Sequence, residues 1–390
     1  MPIINRIADY AAEMTAWRRD FHQHPEIGFE ERRTSEIVAA KLAEWGIEVH
    51  RGLATTGVVG VLRNGSGGRS IGLRADMDCL AMDEASGVPH ASTIPGRMHA
   101  CGHDGHTATL LGAAKYLAET RNFDGTVTFI FQPAEEGGGG GRVMVEEGLF
   151  DRFPCDAVYG IHNAPDLPLG ECSAGTGPIM AASDTITITV RGLGGHAAKP
   201  HIAIDPVMVG AQIVVGLQAL VARRVDPLES AVLSVTQFHA GSAMNVIPEV
   251  AELGGTVRTL LPEVRDAMER LIPLVARNTA AAHEAEAEVV YTRKYPATVN
   301  HAAQSDLAAR AAARVLGDAK VHRDRPPVMG GEDFSFMLLE RPGAFLFMGQ
   351  KGAERGGVPV HHPRYDFNDD LLPIGASYFA TLVEQELPRG

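Results

Sequence analysis

One thiol, three imidazoles and a carboxylate fall within the nine residues Met98-His99-Ala100-Cys101-Gly102-His103-Asp104-Gly105-His106. Cys and His together favour zinc or a similar divalent transition metal over magnesium and calcium, which take oxygen shells. Three further ligand-rich segments follow: Gln132-Pro133-Ala134-Glu135-Glu136-Gly137, Gly160-Ile161-His162-Asn163 and His361-His362-Pro363. A lone buried cysteine is usually inert, but His103 stands two residues beyond Cys101 and the other segments accompany it. Four such segments on one chain point to metal-assisted hydrolysis.

The elements that must hold these groups alternate. Apolar spacing predicts helices over Ile3–Phe21 and Glu30–Trp45, then strands at Val58–Leu62 and Ile71–Asp76. A helix over Thr107–Leu117 opens on the Cys/His cluster; a strand at Thr126–Phe131, a short helix at Val143–Glu147 and a strand at Ala157–Ile161 follow. This order indicates an α/β domain with a mixed, largely parallel sheet flanked by helices. Ligands of such sheets gather beyond the carboxyl ends of the strands. Asp76 and Asp78 follow one strand there, Glu135 and Glu136 the next, and His162 ends a third. Adjacent strand residues face opposite ways, so Glu135 and Glu136 can share a site only because Pro133 and the glycines 137–141 end the strand.

Near Asp184 the pattern changes. Thr185–Val190 alternates as a strand with one wet face, followed by a helix at Asp205–Arg223, strands at Ala231–Phe238 and Ala251–Thr259, a helix at Pro262–Ala282 and a strand at Glu288–Tyr295. That β-α-β-β-α-β order is the ferredoxin-like arrangement. It predicts an inserted α+β domain over 184–296, interrupting a domain formed by 1–183 and 297–390 that carries the ligand-rich segments. Helix Gln304–Leu316, strand Ala344–Met348 and helix Ile374–Glu386 complete the interrupted domain.

Bulk properties narrow the function. A chain of 390 residues exceeds one usual hydrophobic core. A net charge of −13 argues against nucleic-acid binding, and no basic block suits a membrane surface. Cys79, Cys101, Cys155 and Cys172 lie far apart and form no disulfide framework or zinc ribbon. The stretch Met1–Asp9 lacks the apolar core of a signal peptide, and no other run is read as long enough to cross a bilayer. The expected compartment is the cytoplasm, where a thiolate ligand stays reduced. There is no phosphate loop, no His-Glu-x-x-His helix and no Gly-x-Ser-x-Gly elbow.

Taken together, Arg74-Ala75-Asp76-Met77-Asp78, the Met98–His106 cluster, Gln132–Gly137, Gly194-Gly195-His196-Ala197-Ala198, Gly330-Gly331-Glu332-Asp333-Phe334 and His361–Phe367 resemble one family. It is the amidohydrolase branch of the metallo-aminoacylase and carboxypeptidase clan that holds hippurate hydrolase, N-acyl-amino-acid amidohydrolases and plant indoleacetyl-amino-acid hydrolases. The resemblance runs from about Trp17 to the closing helix.

It implies a site for two divalent metal ions (zinc, manganese, cobalt or nickel) held by Cys101, His103, Glu136, His162 and His361, with the Cys101 thiolate bridging. Residue chemistry alone leaves open which of Glu135 and Glu136 is ligand and which is base; the resemblance makes Glu135 the general base. Asp76 stands where the family counts a catalytic residue and the wider clan has a metal-binding His, so that duty passes to His103. Asp78 reads equally as a strand-end turn residue. By resemblance His196 reaches an active site, commonly a partner subunit's, and stabilises the tetrahedral oxyanion. Asn245 and Arg258 are candidates for the substrate carboxylate, although an Arg on a strand is more often solvated or salt-bridged.

His362, where the family usually has Ser or Asn, leaves the choice between His361 and His362 open, and Cys79 replaces a common Ala. His99 and His106 neighbour the cluster as supporting groups; the other histidines, His22 and His90 among them, sit in no ligand constellation. The implied reaction is hydrolysis of N-acyl-L-amino acids by the catalytic domain 1–183 and 297–390 of a homodimer or homotetramer assembled through the inserted domain, a lid and dimerisation unit, with a di- or tripeptidase or an N-acetyldiaminopimelate-type deacetylase as alternatives. A non-catalytic metal- or amino-acid-binding relic is a third, disfavoured because none of the implied residues is missing.

Overall fold

A computed structural model describes residues 3–353 and 355–389, so Met1 and Pro2 of the stretch read for a leader lie outside the described residues. The chain packs into two compact units: residues 1–177, 299–326 and 333–390 form the first, and residues 178–298 and 327–332 the second.

The first unit is built on an eight-stranded sheet ordered Glu48–Leu53, Gly57–Asn64, Gly125–Gln132, Ser70–Asp76, Ala157–Pro168, Gly343–Lys351, Cys172–Ser173, Val321–His322. Its centre is parallel: Ser70–Asp76 lies between Gly125–Gln132 and Ala157–Pro168, which continues to Gly343–Lys351. The first two strands join antiparallel. The edge strand Glu48–Leu53 carries no apolar alternation, since Leu53 is its one buried residue, and that is why periodicity passes over it.

The sequence expectation that a strand ends at His162 is corrected. The strand runs on to Pro168 because Asn163 and Ala164 keep pairing with Met348 and Gly349. Its other neighbour lets go earlier, at Arg74 opposite Gly160, so His162 emerges past the paired end of Ser70–Asp76.

Helix His103–Thr120 is buried over nearly its whole length and packs against the closing helix Leu372–Glu386 and helix Ala11–Gln23. Buried ions fasten its start. Arg18, fully enclosed, pairs with Asp366 at 2.5 Å and Asp369 at 2.9 Å and lies 3.7 Å from Asp104. His22 Nδ1 meets Asp104 at 2.8 Å, and its Nε2 meets Glu84 at 3.3 Å. Helix Ala11–Gln23 thus ties the residue after His103 to the loop after His361.

In the second unit an antiparallel sheet runs Ala231–Ala240, Val250–Thr259, Ala182–Arg191, Glu286–Tyr295. Helices Pro206–Arg224 and Pro262–Ala281 cover it, burying Val209, Ile213, Leu217, Met268 and Ile272. This is the ferredoxin-like strand order. Contrary to the sequence expectation, Pro206–Arg224 is long and apolar enough, by length and composition, to cross a membrane. One face meets the sheet, while Val207, Met208 and Val215 on the other are exposed, so it is apolar nearly all round.

The buried ion cluster sets a pH dependence. Burial alone would lower the His22 pKa, but Asp104 and Glu84 outweigh it and raise it to about 9. The stabilisation from this raised pKa is complete below the ordinary 6.5 and is lost as pH rises through 9. In metal-free protein the urea midpoint is expected to fall between pH 6.5 and 9.5, and His22→Asn to flatten that fall. An equal fall in the variant would show that His22 carries none of it.

Candidate metal centre

Strand ends and one helix start bring the ligand types together. Cys101, His103 and His162 form one set in which the potential ligand atoms lie within 4.8 Å of each other; Cys101, Glu136 and His361 form another. The two sets share the Cys101 sulfur. His103, Glu135 and Glu136 make a third, which brings both adjacent glutamates to one place.

Local backbone explains how. The strand stops at Gln132, Pro133 follows, and Ala134 takes the left-handed conformation at φ 54°. The chain then doubles back, with the Gly140 N–H donating to the Ala134 carbonyl. At the other approach, Gly102 has φ 95° and separates Cys101 from His103. A Cβ there would collide with the Asn163 side chain and the Tyr365 hydroxyl, so only glycine permits this spacing. His361 also has positive φ, and its N–H donates to the Ala100 carbonyl at 2.7 Å.

Supporting contacts set each imidazole's proton. The Asp78 carbonyl can only accept, so His103 Nδ1, 2.9 Å away, carries a hydrogen and Nε2 is the nitrogen left to face a metal. His162 Nδ1 likewise donates to the Asn163 carbonyl at 2.8 Å, turning Nε2 toward the Cys101 sulfur at 3.4 Å. Metal-binding histidines are held this way. Burial, with His106 nearby, pushes His162 down to about 3 and so keeps it neutral. Burial, with Glu136 beside it, pushes the Cys101 thiol well up; a thiolate there needs a cation.

The donor set fits a divalent ion. His103 Nε2 and Glu136 Oε1 are buried without a hydrogen-bond partner, and Glu136 Oε1 lies 3.2 Å from His361 Nε2. Of the adjacent pair, His361 joins the cluster, while His362 Nδ1 accepts from the Arg364 N–H.

Asp76, His103 and His106 also lie within ligand distance of one another, but hydrogen bonds occupy two of them. Asp76 accepts from Arg74 at 2.7 Å and from His106 Nδ1 at 2.7 Å; His106 Nε2 faces the Asn163 amide at 2.7 Å. Arg74 continues to Gln132 and Asp333, and Asn163 donates to Tyr365. Asp76 and His106 therefore brace the strand ends from behind.

Sequence reasoning left Asp78 undecided; it accepts the Glu136 N–H at 2.9 Å as well as holding His103. Asn163 and Tyr365 were not singled out, although Asn163 adjoins His162 in its motif. Cys79 is a buried thiol whose N–H donates to the Glu26 carbonyl, and burial pushes its pKa up.

His196 and Asn245 meet within the second unit. The Ala197 N–H donates to the Asn245 carbonyl, and His196 pairs with Val246. The exposed His196 ring accepts the Ala198 N–H at Nδ1, which leaves its hydrogen on Nε2. Arg258 is half-buried and makes no ion pair among the described residues, and burial lowers its pKa.

Residues 72–385 match the peptidase family M20/M25/M40. The chain belongs to that family. Hippurate hydrolase of Campylobacter jejuni is 41% identical, with 98% of this chain and 99% of the relative covered. N-acetylcysteine deacetylase of Bacillus subtilis is also 41% identical, over 94% of each. The solved structure of the Bacillus subtilis YXEP protein, described as a dinuclear metal binding peptidase of the M20 family, aligns with a TM-score of 0.84 at 36% identity. That alignment covers 97% of this chain and 99% of the other. This M20 chain is a metallo-amidohydrolase.

If Asp78 holds both His103 and the Glu136 backbone, Asp78→Ala weakens metal binding by ~10- to 100-fold, as loss of a ligand's supporting contact does. Titration of the metal-free protein with Mn²⁺ measures this; unchanged affinity would remove Asp78 from the site.

Proposed function

We propose that the enzyme hydrolyses the amide bond of N-acyl-L-amino acids, hippurate-like or N-acetylated, at a site for two divalent metal ions. The observation that carries this reading is the Cys101 sulfur common to two ligand sets, Cys101–His103–His162 and Cys101–Glu136–His361. A bridging anion tempers repulsion between two dications. Zinc, manganese, cobalt and nickel all suit these ligands. The substrate class is supported by relatives named hippurate hydrolase, N-acetylcysteine deacetylase and, in Arabidopsis thaliana, IAA-amino acid hydrolase.

When bound, such ions supply Lewis acidity and lower the pKa of water. Glu135, buried beside His103 and Glu136, takes a proton from the attacking water as its oxygen adds to the acyl carbonyl. The same carboxyl then delivers that proton to the amide nitrogen as the C–N bond breaks, releasing a carboxylic acid and an amino acid. Asp76 keeps the sheet ends fixed through Arg74 and His106. His196, with its hydrogen on the exposed Nε2, is assigned to the oxyanion. Arg258, without an ion pair among the described residues, and Asn245 are assigned to the substrate carboxylate.

We also assign the second unit to self-association. Strand Ala231–Ala240 is an open sheet edge, with Val232 and Phe238 exposed on it, and Val215 of helix Pro206–Arg224 is exposed as well. Open edges and apolar faces of this kind seek partners. Val215→Glu is expected to shift the mass measured by light scattering from dimer or tetramer to monomer; an unchanged assembly would exclude this helix face from the interface. Four free, buried thiols suit a reducing cytoplasm.

The direct test is release of amino acid from N-benzoylglycine and a panel of N-acetyl amino acids, beside free dipeptides. Activity is expected to vanish on chelation and return with manganese or zinc. Glu135→Gln should lose ~10²- to 10⁴-fold in kcat, the usual weight of a general acid–base, while keeping its metal. Cleavage of dipeptides alone would move the enzyme to peptidase chemistry.

A further inference from the structure

Glu31 is a fully buried carboxylate that the chemistry above does not use. It precedes helix Arg32–Glu44, where an acid ordinarily caps the first turn, yet its side chain makes no cap. Glu26 takes that task, accepting from the Arg33 and Thr34 N–H groups at 2.9 and 2.8 Å. Glu31 is turned instead toward the Pro133–Gly141 turn. One oxygen accepts the Ala134 N–H at 2.8 Å and the other the Thr56 hydroxyl at 2.6 Å.

The surroundings show what this achieves. Ala134 is the left-handed residue that lets Glu135 and Glu136 face the same way. A left-handed alanine carries strain that persists only where neighbours over-determine it. Phe29, Ala54 and Thr55, also at positive φ, are close to Glu31 or its partner Thr56 in sequence. Gly28 and Gly138 each approach so closely that an added Cβ would stand 2.8 Å from the Ala134 Cβ. Thr56 is itself fixed, because its carbonyl accepts the Ser35 hydroxyl. Burial, with Asp78 nearby, pushes the Glu31 carboxyl up to about 7, so an acid is kept here against the cost of enclosing it.

We propose that Glu31 is a positioning residue: by accepting the Ala134 N–H it holds the turn that aims Glu135 and Glu136 at the metal site. This rests on the assignment of Glu135 as base and Glu136 as ligand given above. Glu31 touches neither substrate nor metal and acts through the backbone two residues before Glu136.

The test compares Glu31→Ala, Glu31→Gln and Glu31→Asp with the wild type, at temperatures where circular dichroism shows each fully folded. Glu31→Ala is expected to lower kcat on N-benzoylglycine by ~10- to 100-fold and to weaken Mn²⁺ binding to metal-free protein by a similar factor, with KM little changed. Glu31→Gln keeps an acceptor for Ala134 and a donor toward Thr56, so it should restore most of both. Should Glu31→Ala not fold, Glu31→Asp carries the test. It keeps the charge but is one methylene short of spanning both partners, so kcat and Mn²⁺ affinity should fall together. Wild-type kcat and Mn²⁺ affinity in the Ala variant, or in the Asp variant if Ala does not fold, would overturn the proposal. Glu135→Gln run in parallel separates the two failures. If it turns over normally, the base assignment falls; if it is inactive while Glu31→Ala is unimpaired, only the role of Glu31 falls.

Discussion

The constraint on which this structure turns is the company kept by one sulfur. Around Cys101 Sγ stand the lone pair of His162, the imidazole of His103, the carboxylate of Glu136 and, beyond it, His361. Electron-rich atoms do not gather in a buried place without positive charge among them. In the metal-free protein, protons can serve, and Asp76 and Cys101 raise the His103 pKa against the opposing effect of burial. Divalent ions serve better, and their binding must then displace those protons. The site is costly as a folding element and makes sense as a receptor.

Much of the first unit can be understood as the means of holding that arrangement. Asp78 fixes the His103 tautomer and grips the backbone of Glu136. Arg74, Asp76, His106, Asn163 and Tyr365 form a buried chain behind the Cys101 cluster, from strand Ser70–Asp76 to the loop after His361. Arg18 and His22 lock the start of helix His103–Thr120 to the same loop. The candidate ligands are thus located by buried contacts that draw on several parts of the chain, and such supporting contacts turn backbone stability into site geometry.

The Cys/His/Glu segments that meet in the structure and the alternation of elements were legible because both are local in sequence: His103 follows Cys101 by two residues, and apolar spacing marks the central strands. The ferredoxin-like order was legible for the same reason. The end of the His162 strand was not, since it depends on pairing with Gly343–Lys351, far away in the chain. Edge strand Glu48–Leu53 buries too little to leave a pattern. The supporting residues were hidden for a third reason. Arg18, Glu31, His22 and Tyr365 look like ordinary helix or loop residues until the fold encloses them. The left-handed Ala134, which settles how two adjacent glutamates share a site, carries no sequence signal at all, because left-handed positions usually advertise themselves as glycine.

The most direct test of a sulfur shared between two ions is X-ray absorption at the metal edge of the fully loaded enzyme. The expected spectrum has one sulfur scatterer on each metal and a metal–metal vector at ~3.5–4 Å, the separation of cooperating pairs. Sulfur on only half of the metal, with no metal–metal vector, would contradict a bridging Cys101 and reduce the site to separate ions.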